Sequence, residues 1–283
     1  MEPCDHFQLS KDCKISYADK TAIKFVMGKE TLTIGTSFRI PDVTLACGTE
    51  GIDGFRYDGI VGMGRGKLSL LSQLNERVFA YCLPSRFGDD QLKSGIFLTG
   101  SEARIANDKI QTMPLLSNQE QGWLYYVALE GISVGETRLN VTTSDFTSTD
   151  DGTGGGMVID SGATFTSLEG RVVDMIKEEF LMQTKLEKSE GYTPPYDVLD
   201  LCFMSPYDVN VIPKIVFHFK GADWELAKEN YIYEDGSQGC LGIVGYGEDK
   251  TSVLGNMQQQ NMMVIYDLDR NNLSFMPAKC SEL

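Results

Sequence analysis

The segment Val158-Ile159-Asp160-Ser161-Gly162 is the strongest indicator of fold in this chain. Two β-branched apolar residues before Asp160 predict the end of a buried strand, and the Ser-Gly pair after it predicts a sharp turn. A carboxylate at the mouth of such a turn is poorly placed to serve as a solubilising surface charge. Asp160 is therefore the first candidate for chemistry in this chain.

Two further segments extend this pattern to the rest of the chain. Each is an apolar pair closed by glycine, and the two are Ile60-Val61-Gly62 and Val253-Leu254-Gly255. One copy in each half of the chain indicates an internally duplicated fold. We expect both apolar pairs to pack behind active-site turns, where their side chains exclude water.

Longer segments carry a family resemblance. They are Tyr17-Ala18-Asp19, Ala46-Cys47-Gly48, Gly62-Met63-Gly64-Arg65-Gly66, Phe79-Ala80-Tyr81-Cys82, Leu201-Cys202-Phe203 and Gly255-Asn256-Met257-Gln258-Gln259-Gln260. With them the chain resembles the pepsin-like aspartic peptidases, and the plant nepenthesin-like branch in particular. The resemblance implies an all-β, bilobed pepsin-like fold with a truncated first lobe. Residues 1–110 would form the partial first lobe with its flap, and residues 111–283 the second lobe with D-S-G.

The resemblance also implies a function, the hydrolysis of peptide bonds by a water molecule that aspartate activates. Such an endopeptidase needs no cofactor and no metal, and its partner is a peptide or protein substrate. Asp160 matches one catalytic aspartate, and Ser161, Gly162, Ala163 and Thr164 match the loop that follows it. Tyr17 matches the tyrosine of the flap that closes over the substrate.

The sequence departs from this family at two points. The family chemistry needs two aspartates that share one proton, because two adjacent carboxylates cannot both ionise. The chain holds one D-S-G and no D-T-G, and the Asp160–Leu254 spacing counted back from Val61 falls before Met1. Ala163 replaces the usual Thr or Ser, whose hydroxyl would bond the catalytic carboxylate. We therefore expect the chain as given to be inactive.

Two alternatives to the inactive peptidase stay open at this point. The first is a non-catalytic pseudo-peptidase that keeps the cleft and binds peptides or proteins, as some plant inhibitors of glycosidases do. The second is a pair of chains that rebuilds the dyad from two copies of Asp160, although a partial first lobe would obstruct that pairing. Whether the chain is an enzyme is left open by the sequence.

The seven cysteines of the chain suit an oxidising compartment. The resemblance implies the disulfides Cys202–Cys240 and Cys82–Cys280. It places the family partners of Cys4, Cys13 and Cys47 upstream, so we expect these three thiols to stay at least partly free or to scramble into other disulfides. Since seven is odd, at least one cysteine has no partner within the chain.

Composition narrows the possible partners and location. A net charge of −15 argues against nucleic acid, whose phosphates would repel the protein. No apolar run is long enough to span a membrane, and residues 1–6 lack the features of a signal peptide. The sequons at Asn140 and Asn272 are candidate glycosylation sites. By family we expect a secreted monomer, extracellular (apoplastic) or vacuolar.

Other hydrolytic and metal chemistries find little support in the sequence. There is no C-x-x-C, and the two histidines, His6 and His218, lie far apart. The sequence has no nucleophile-elbow motif that would indicate Ser-His-Asp hydrolase chemistry. His218 lies in the apolar segment Ile215-Val216-Phe217-His218-Phe219 and is interpreted as a strand residue. Apolar spacing predicts a helix over residues 171–185, and the segment 263–275 predicts a hairpin.

Overall fold

The computed structural model describes residues 13–17, 21–36, 38–52, 58–85, 94–118, 122–146, 156–245 and 251–283, which are mostly β-strands and connecting loops. The chain divides into two compact units, residues 1–76 and 77–283. Within the part of the chain described, no helix is both long and apolar enough to cross a membrane.

In the described residues of the first unit, three strands form an antiparallel sheet in the order β1-β2-β3. Its strands are β1 (Cys13–Ser16), β2 (Ala22–Ile34) and β3 (Phe38–Ile52). The short helix α1 (Leu70–Gln73) follows, and the Ser69 hydroxyl caps it by accepting the Ser72 N–H at 3.2 Å. Serine suits this position because its oxygen satisfies an N–H that has no partner within the helix.

The second unit holds the remaining strands. In chain order they are β4 (Val78–Cys82), β5 (Ile96–Thr99), β6 (Gln111–Pro114), β7 (Tyr126–Val127), β8 (Leu129–Val134), β9 (Thr137–Arg138), β10 (Met157–Ile159), β11 (Thr166–Leu168), β12 (Cys202–Met204), β13 (Ile215–Phe219), β14 (Ala222–Leu226), β15 (Ile232–Asp235), β16 (Gln238–Leu241), β17 (Ile243–Gly245), β18 (Val253–Leu254), β19 (Met262–Asp267) and β20 (Asn272–Pro277). Its α-helices are α2 (Gly170–Thr184) and α3 (Asn256–Gln259). Its short 3-10 helices are Thr143–Phe146, Val209–Val211, Lys228–Asn230 and Cys280–Glu282.

These strands form sheets that join distant parts of the chain. Their orders are β5-β4-β19-β20-β6, β17-β11-β18-β10-β7, β14-β13-β8-β9 and β12-β16-β15. Strands β4 and β5 pair into the second unit, although they fall within the predicted first lobe of residues 1–110. The division into lobes at residue 110 stays a prediction.

Two local predictions are confirmed in this unit. Helix α2 occupies nearly the predicted residues and buries Val172, Val173, Ile176 and Phe180 on one face. Strands β19 and β20 form the predicted hairpin, with Asp267 opposite Asn272 next to the turn. Both follow from the spacing of apolar residues, which sets the face that each element buries.

The structure describes six of the seven cysteines. The structure joins Cys82 to Cys280 and Cys202 to Cys240, the pairs that the resemblance implies. Cys47 is free and exposed, whereas Cys13 is disulfide-bonded, and Cys4 lies outside the described residues. Of the two outcomes expected for Cys13, a free thiol or another disulfide, the structure has a disulfide, because a thiol needs only a suitably close cysteine and not the family partner.

Candidate active site

Asp160 lies directly after β10, at the start of a turn that connects β10 to β11. These two strands flank β18 on either side, so the turn arches over the end of β18. Val158 and Ile159 pair in parallel with Val253 and Leu254, and the Asp160 N–H donates to the Leu254 carbonyl at 3.1 Å. The position of the carboxylate is therefore set by a buried sheet.

The start of α3 holds the far side of the turn. The backbone N–H of Asn256 donates to the Ala163 carbonyl at 2.7 Å, and its side-chain amide donates to the Ser161 carbonyl at 3.0 Å. Gly255 is required here, since a Cβ would lie 2.3 Å from the carbonyl carbon of Phe165. Asp160, Ser161, Gly162, Ala163 and Thr164 are thus brought together on one rigid turn.

The carboxylate of Asp160 is exposed and oriented by the turn itself. Its Oδ1 accepts the Gly162 N–H at 2.8 Å. Ala163 contributes a methyl group, so the residue that carries a hydroxyl in the family supplies none here. An oriented, accessible carboxylate of this kind can accept a proton from water, which is the role of a general base.

Two tyrosines stand beside the turn, the buried Tyr266 and the partly buried Tyr81, and sequence reasoning missed their role. The Tyr81 hydroxyl donates to Gln259 Oε1 and lies 3.3 Å from the Tyr266 hydroxyl, while Gln259 Nε2 donates to the Leu254 carbonyl at 2.7 Å. Burial raises the pKa of both tyrosines, and the negative charge of Asp160 raises it further. Both hydroxyls therefore stay protonated and act as hydrogen-bond donors.

Behind the turn, Gln258 joins three segments through its buried side chain. Oε1 accepts the Thr166 N–H at 2.8 Å, and Nε2 donates to the carbonyls of Asn230 at 2.8 Å and Gly242 at 2.9 Å. The run of three glutamines after Asn256 was a sequence signal for this anchor. Only the fold shows which backbone groups it serves.

The two apolar pairs closed by glycine behave differently. Leu254 is fully buried in β18, as expected. Ile60 and Val61, by contrast, are 53% and 61% exposed and lie outside any strand, so the expectation that they pack behind a turn is wrong. The described residues of the first unit contain no strand that pairs with them, and without such a strand their side chains have nothing to pack against.

The remaining candidate residues lie away from the Asp160 turn in sequence. Tyr17 follows β1 in the first unit, and its N–H donates to the Thr21 carbonyl at 2.8 Å within the hairpin. Asn140 is exposed in a loop, whereas Asn272 is partly buried at the start of β20. No cluster of three or more His, Cys, Asp or Glu side chains suited to a metal occurs among the residues that the structure describes.

Plant aspartic proteases match most of this chain in amino-acid sequence. Aspartic proteinase nepenthesin-1 from Nepenthes gracilis is 37% identical and covers 93% of this chain, which spans 60% of that protein. Aspartic proteinase nepenthesin-2 from the same plant is 32% identical, and the match covers 96% of this chain and 62% of that protein. Aspartyl protease family protein 2 from Arabidopsis thaliana is 34% identical, and the match covers 95% of this chain and 55% of that protein. The chain therefore spans less than two thirds of these relatives.

Solved structures show the same fold at lower identity. The crystal structure of edgp superposes with a TM-score of 0.68 at 21% identity, covering 93% of this chain and 71% of that one. Basic 7S globulin from soybean gives 0.69 at 19% identity, with the same shares of 93% and 71%. The all-β, pepsin-like fold predicted from the sequence is confirmed.

Two protein-family models match the chain and assign it to a family. One described as Xylanase inhibitor N-terminal matches residues 2–101, and one described as Xylanase inhibitor C-terminal matches residues 124–277. The second match includes the Asp160 turn, β18 and α3, the elements that build the site. The chain belongs to the pepsin-like aspartic protease family, with domains of the xylanase inhibitor type.

Proposed function

We propose that Asp160 is one of the two carboxylates of an aspartic peptidase centre, and that these 283 residues alone do not cleave peptide bonds. The observation that carries the proposal is the Asp160 turn. Its backbone is held by Leu254 and Asn256, while the carboxylate stays open to solvent. That combination suits a reacting group better than a structural one.

The chemistry explains why one such turn is insufficient. One carboxylate takes a proton from the attacking water, and the other, still protonated, donates a hydrogen bond to the carbonyl oxygen of the substrate. The chain contains a single D-S-G, so the second role has no matching residue. The relatives of this chain are longer than it is. We propose that, in a protein of their length, Asp160 acts with a second aspartate on peptide or protein substrates.

Cleavage of acid-denatured globin tests this proposal. The purified 283-residue chain is expected to give no pepstatin-sensitive cleavage at acid pH, and Asp160→Asn is expected to behave identically. The matched control is Asp174→Asn, which changes an exposed carboxylate on α2. Pepstatin-sensitive cleavage that is lost in Asp160→Asn and kept in Asp174→Asn would overturn the proposed inactivity and favour a dyad built from two chains.

A second candidate function is inhibitory binding. Two observations favour it, the methyl group of Ala163 at the position of a family hydroxyl and the xylanase inhibitor description of the matching domains. The chain would then bind a glycosidase without cleaving it. Titration of a xylanase with the chain is expected to give stoichiometric inhibition that Asp160→Asn leaves intact, and an unchanged xylanase rate at excess chain would exclude this function.

We further propose secretion or vacuolar delivery, with a monomeric state and glycosylation at Asn140 and Asn272. The disulfides Cys82–Cys280 and Cys202–Cys240 support an oxidising compartment. Asn140 is the better acceptor of the two, because its side chain is exposed in a loop while Asn272 begins a paired strand. Peptide-N-glycosidase treatment of the secreted protein, followed by mass mapping, tests both sites.

A further inference from the structure

We propose that Ser133, His218 and Asp223 form a second catalytic site, a Ser-His-Asp triad on the solvent face of the β14-β13-β8-β9 sheet. Its substrates would be small, activated carboxylic esters. The site shares no residue with the Asp160 turn and does not rest on the peptidase proposal. Such triads occur on unrelated folds and are recognised by geometry rather than by sequence position.

The hydrogen-bond distances are those of a nucleophile, a base and a group that orients the base. Ser133 Oγ lies 2.8 Å from His218 Nε2, and His218 Nδ1 lies 2.7 Å from Asp223 Oδ1. Because the Asp223 carboxylate can only accept, Nδ1 carries the proton. Nε2 of the neutral ring is then the acceptor of the Ser133 hydroxyl, which is the tautomer a general base needs.

Sheet register explains how three distant residues meet. Asp223 is directly opposite His218 in the β13–β14 hairpin, and Ser133 on β8 pairs with Val216, two residues before His218. The three side chains therefore lie on one face and on adjacent strands, within reach across the sheet. Opposite faces of the same strands carry Ile132, Phe217 and Trp224, which are fully buried.

The orienting residue is itself held in place. The backbone N–H of Asp223 donates to Gln111 Oε1 at 2.8 Å, and Gln111 Nε2 donates back to the Asp223 carbonyl at 2.9 Å. The hairpin turn before it uses Gly221 at a φ of +87°, a conformation that favours glycine. Asp223 is thus fixed through its backbone, although its side chain is 63% exposed.

Arg138 supplies a positive charge beside the pair. Its guanidinium lies against Gly131, where a Cβ would sit 2.5 Å from Nη2. Gly131 is directly opposite His218 and two residues before Ser133 on the same face, while Arg138 itself pairs with Ser133. The guanidinium is therefore placed to stabilise an oxyanion formed at a carbonyl that Ser133 attacks.

The reaction is an ordinary acyl transfer. Ser133 Oγ attacks the ester carbonyl while its proton passes to His218 Nε2, and collapse of the tetrahedral adduct releases the alcohol, which takes that proton. Water then attacks the acyl-serine in the same way, which releases the carboxylic acid and restores the serine hydroxyl. The sheet face is open, so substrates with good leaving groups are favoured over peptides.

A fluorophosphonate probe tests the site on the folded 283-residue chain. Ser133 Oγ forms the bond to phosphorus, fluoride leaves, and the serine proton goes to His218. Peptide mapping is expected to locate the label on Ser133, and Ser133→Ala is expected to abolish it. His218→Gln should slow labelling by about 10²-fold, the typical contribution of a general base. Asp223→Asn should slow it by roughly tenfold, less than in a buried triad because water also solvates this carboxylate.

The matched control is Ser274→Ala. Ser274 is also a strand serine that bonds another side chain, but its partner is the Thr112 hydroxyl at 2.8 Å and not an imidazole. Labelling is expected to be unchanged in this variant. Absence of label on Ser133 in the folded chain, or equal labelling rates in wild type and Asp223→Asn, would overturn the proposal. If His218→Gln fails to fold, the comparison of labelling rates between wild type and Asp223→Asn still tests the proposal.

Discussion

Gln258 offers the sharpest test of how the Asp160 turn is supported. We predict that Gln258→Ala strongly destabilises the second unit, because the side chain is the partner of three buried backbone groups. Those groups are the Thr166 N–H and the carbonyls of Asn230 and Gly242, at 2.8–2.9 Å. Thr166 begins β11, so the strand that follows the active-site turn would lose one of its two bonds to the α3 region and keep the other, from the Gly255 N–H to Thr166 Oγ1 at 3.0 Å.

The magnitude follows from burial. A buried polar group that loses its partner costs roughly 1–3 kcal/mol, and truncation to alanine leaves three such groups in a site where Gln258 is 0% exposed. Water entering the new cavity would recover part of this cost. We therefore expect the free energy of unfolding to fall by about 3–5 kcal/mol, well above the loss of about 1 kcal/mol of a typical substitution.

Urea unfolding followed by tryptophan fluorescence measures this loss. Trp224 is buried and its indole N–H donates to the Gln258 backbone carbonyl at 3.1 Å, so its emission reports on the same region. Trp123 is 52% exposed and is replaced by Phe in all variants, which leaves Trp224 as the single reporter. A shift in midpoint at constant slope gives the change in stability.

Gln183→Ala is the matched control in the same unit. Gln183 also donates two hydrogen bonds, to the Val134 carbonyl at 2.8 Å and to Glu179 at 2.6 Å, but it is only partly buried. Water can replace both partners, so the expected loss is below about 1 kcal/mol. If Gln258→Ala costs no more than Gln183→Ala, the reasoning from buried backbone groups is refuted.

Three further predictions concern charge and cysteine. Burial raises the pKa of Asp267, but hydrogen bonds from Arg270 and the charge of Arg104 outweigh it and hold that pKa below the ordinary value of 3.8. This stabilisation is present above pH 3.8 and is lost as the pH falls through the folded-state pKa, so Asp267→Asn should cost about 1–2 kcal/mol at pH 7 and progressively less in acid. Melting temperatures across pH check this, and a cost independent of pH would contradict it. Replacing Cys202 and Cys240 together by alanine should cost about 4 kcal/mol in urea unfolding, from the entropy of a loop with a separation of 38 residues, and a loss under 1 kcal/mol would argue against that account. Native, non-reducing alkylation should label Cys47 and leave Cys82, Cys202, Cys240 and Cys280 unlabelled, whereas label on any of these four would show an open disulfide.

Features that depend on neighbouring residues could be predicted from the amino-acid sequence alone. The strand before Asp160 and the turn after it follow from a short β-branched run and a Ser-Gly pair. Helix α2 follows from apolar residues at helical spacing, and the β19–β20 hairpin from two apolar runs around a polar turn. The motif resemblance then gave the fold class, because those motifs occur together along nearly the whole chain.

Contacts between residues far apart in sequence could not be predicted and are known from the folded structure. Gln258 reaches Thr166, 92 residues away, and Ser133 reaches His218, 85 residues away, through sheet orders that local patterns do not encode. The sequence showed no elbow motif for a Ser-His-Asp site, yet three strands carry those residues onto one face. It also predicted a packed Ile60-Val61 pair that the structure leaves exposed. The physical reason is that burial and hydrogen bonding depend on the partner strand, and partner strands are chosen by long-range packing.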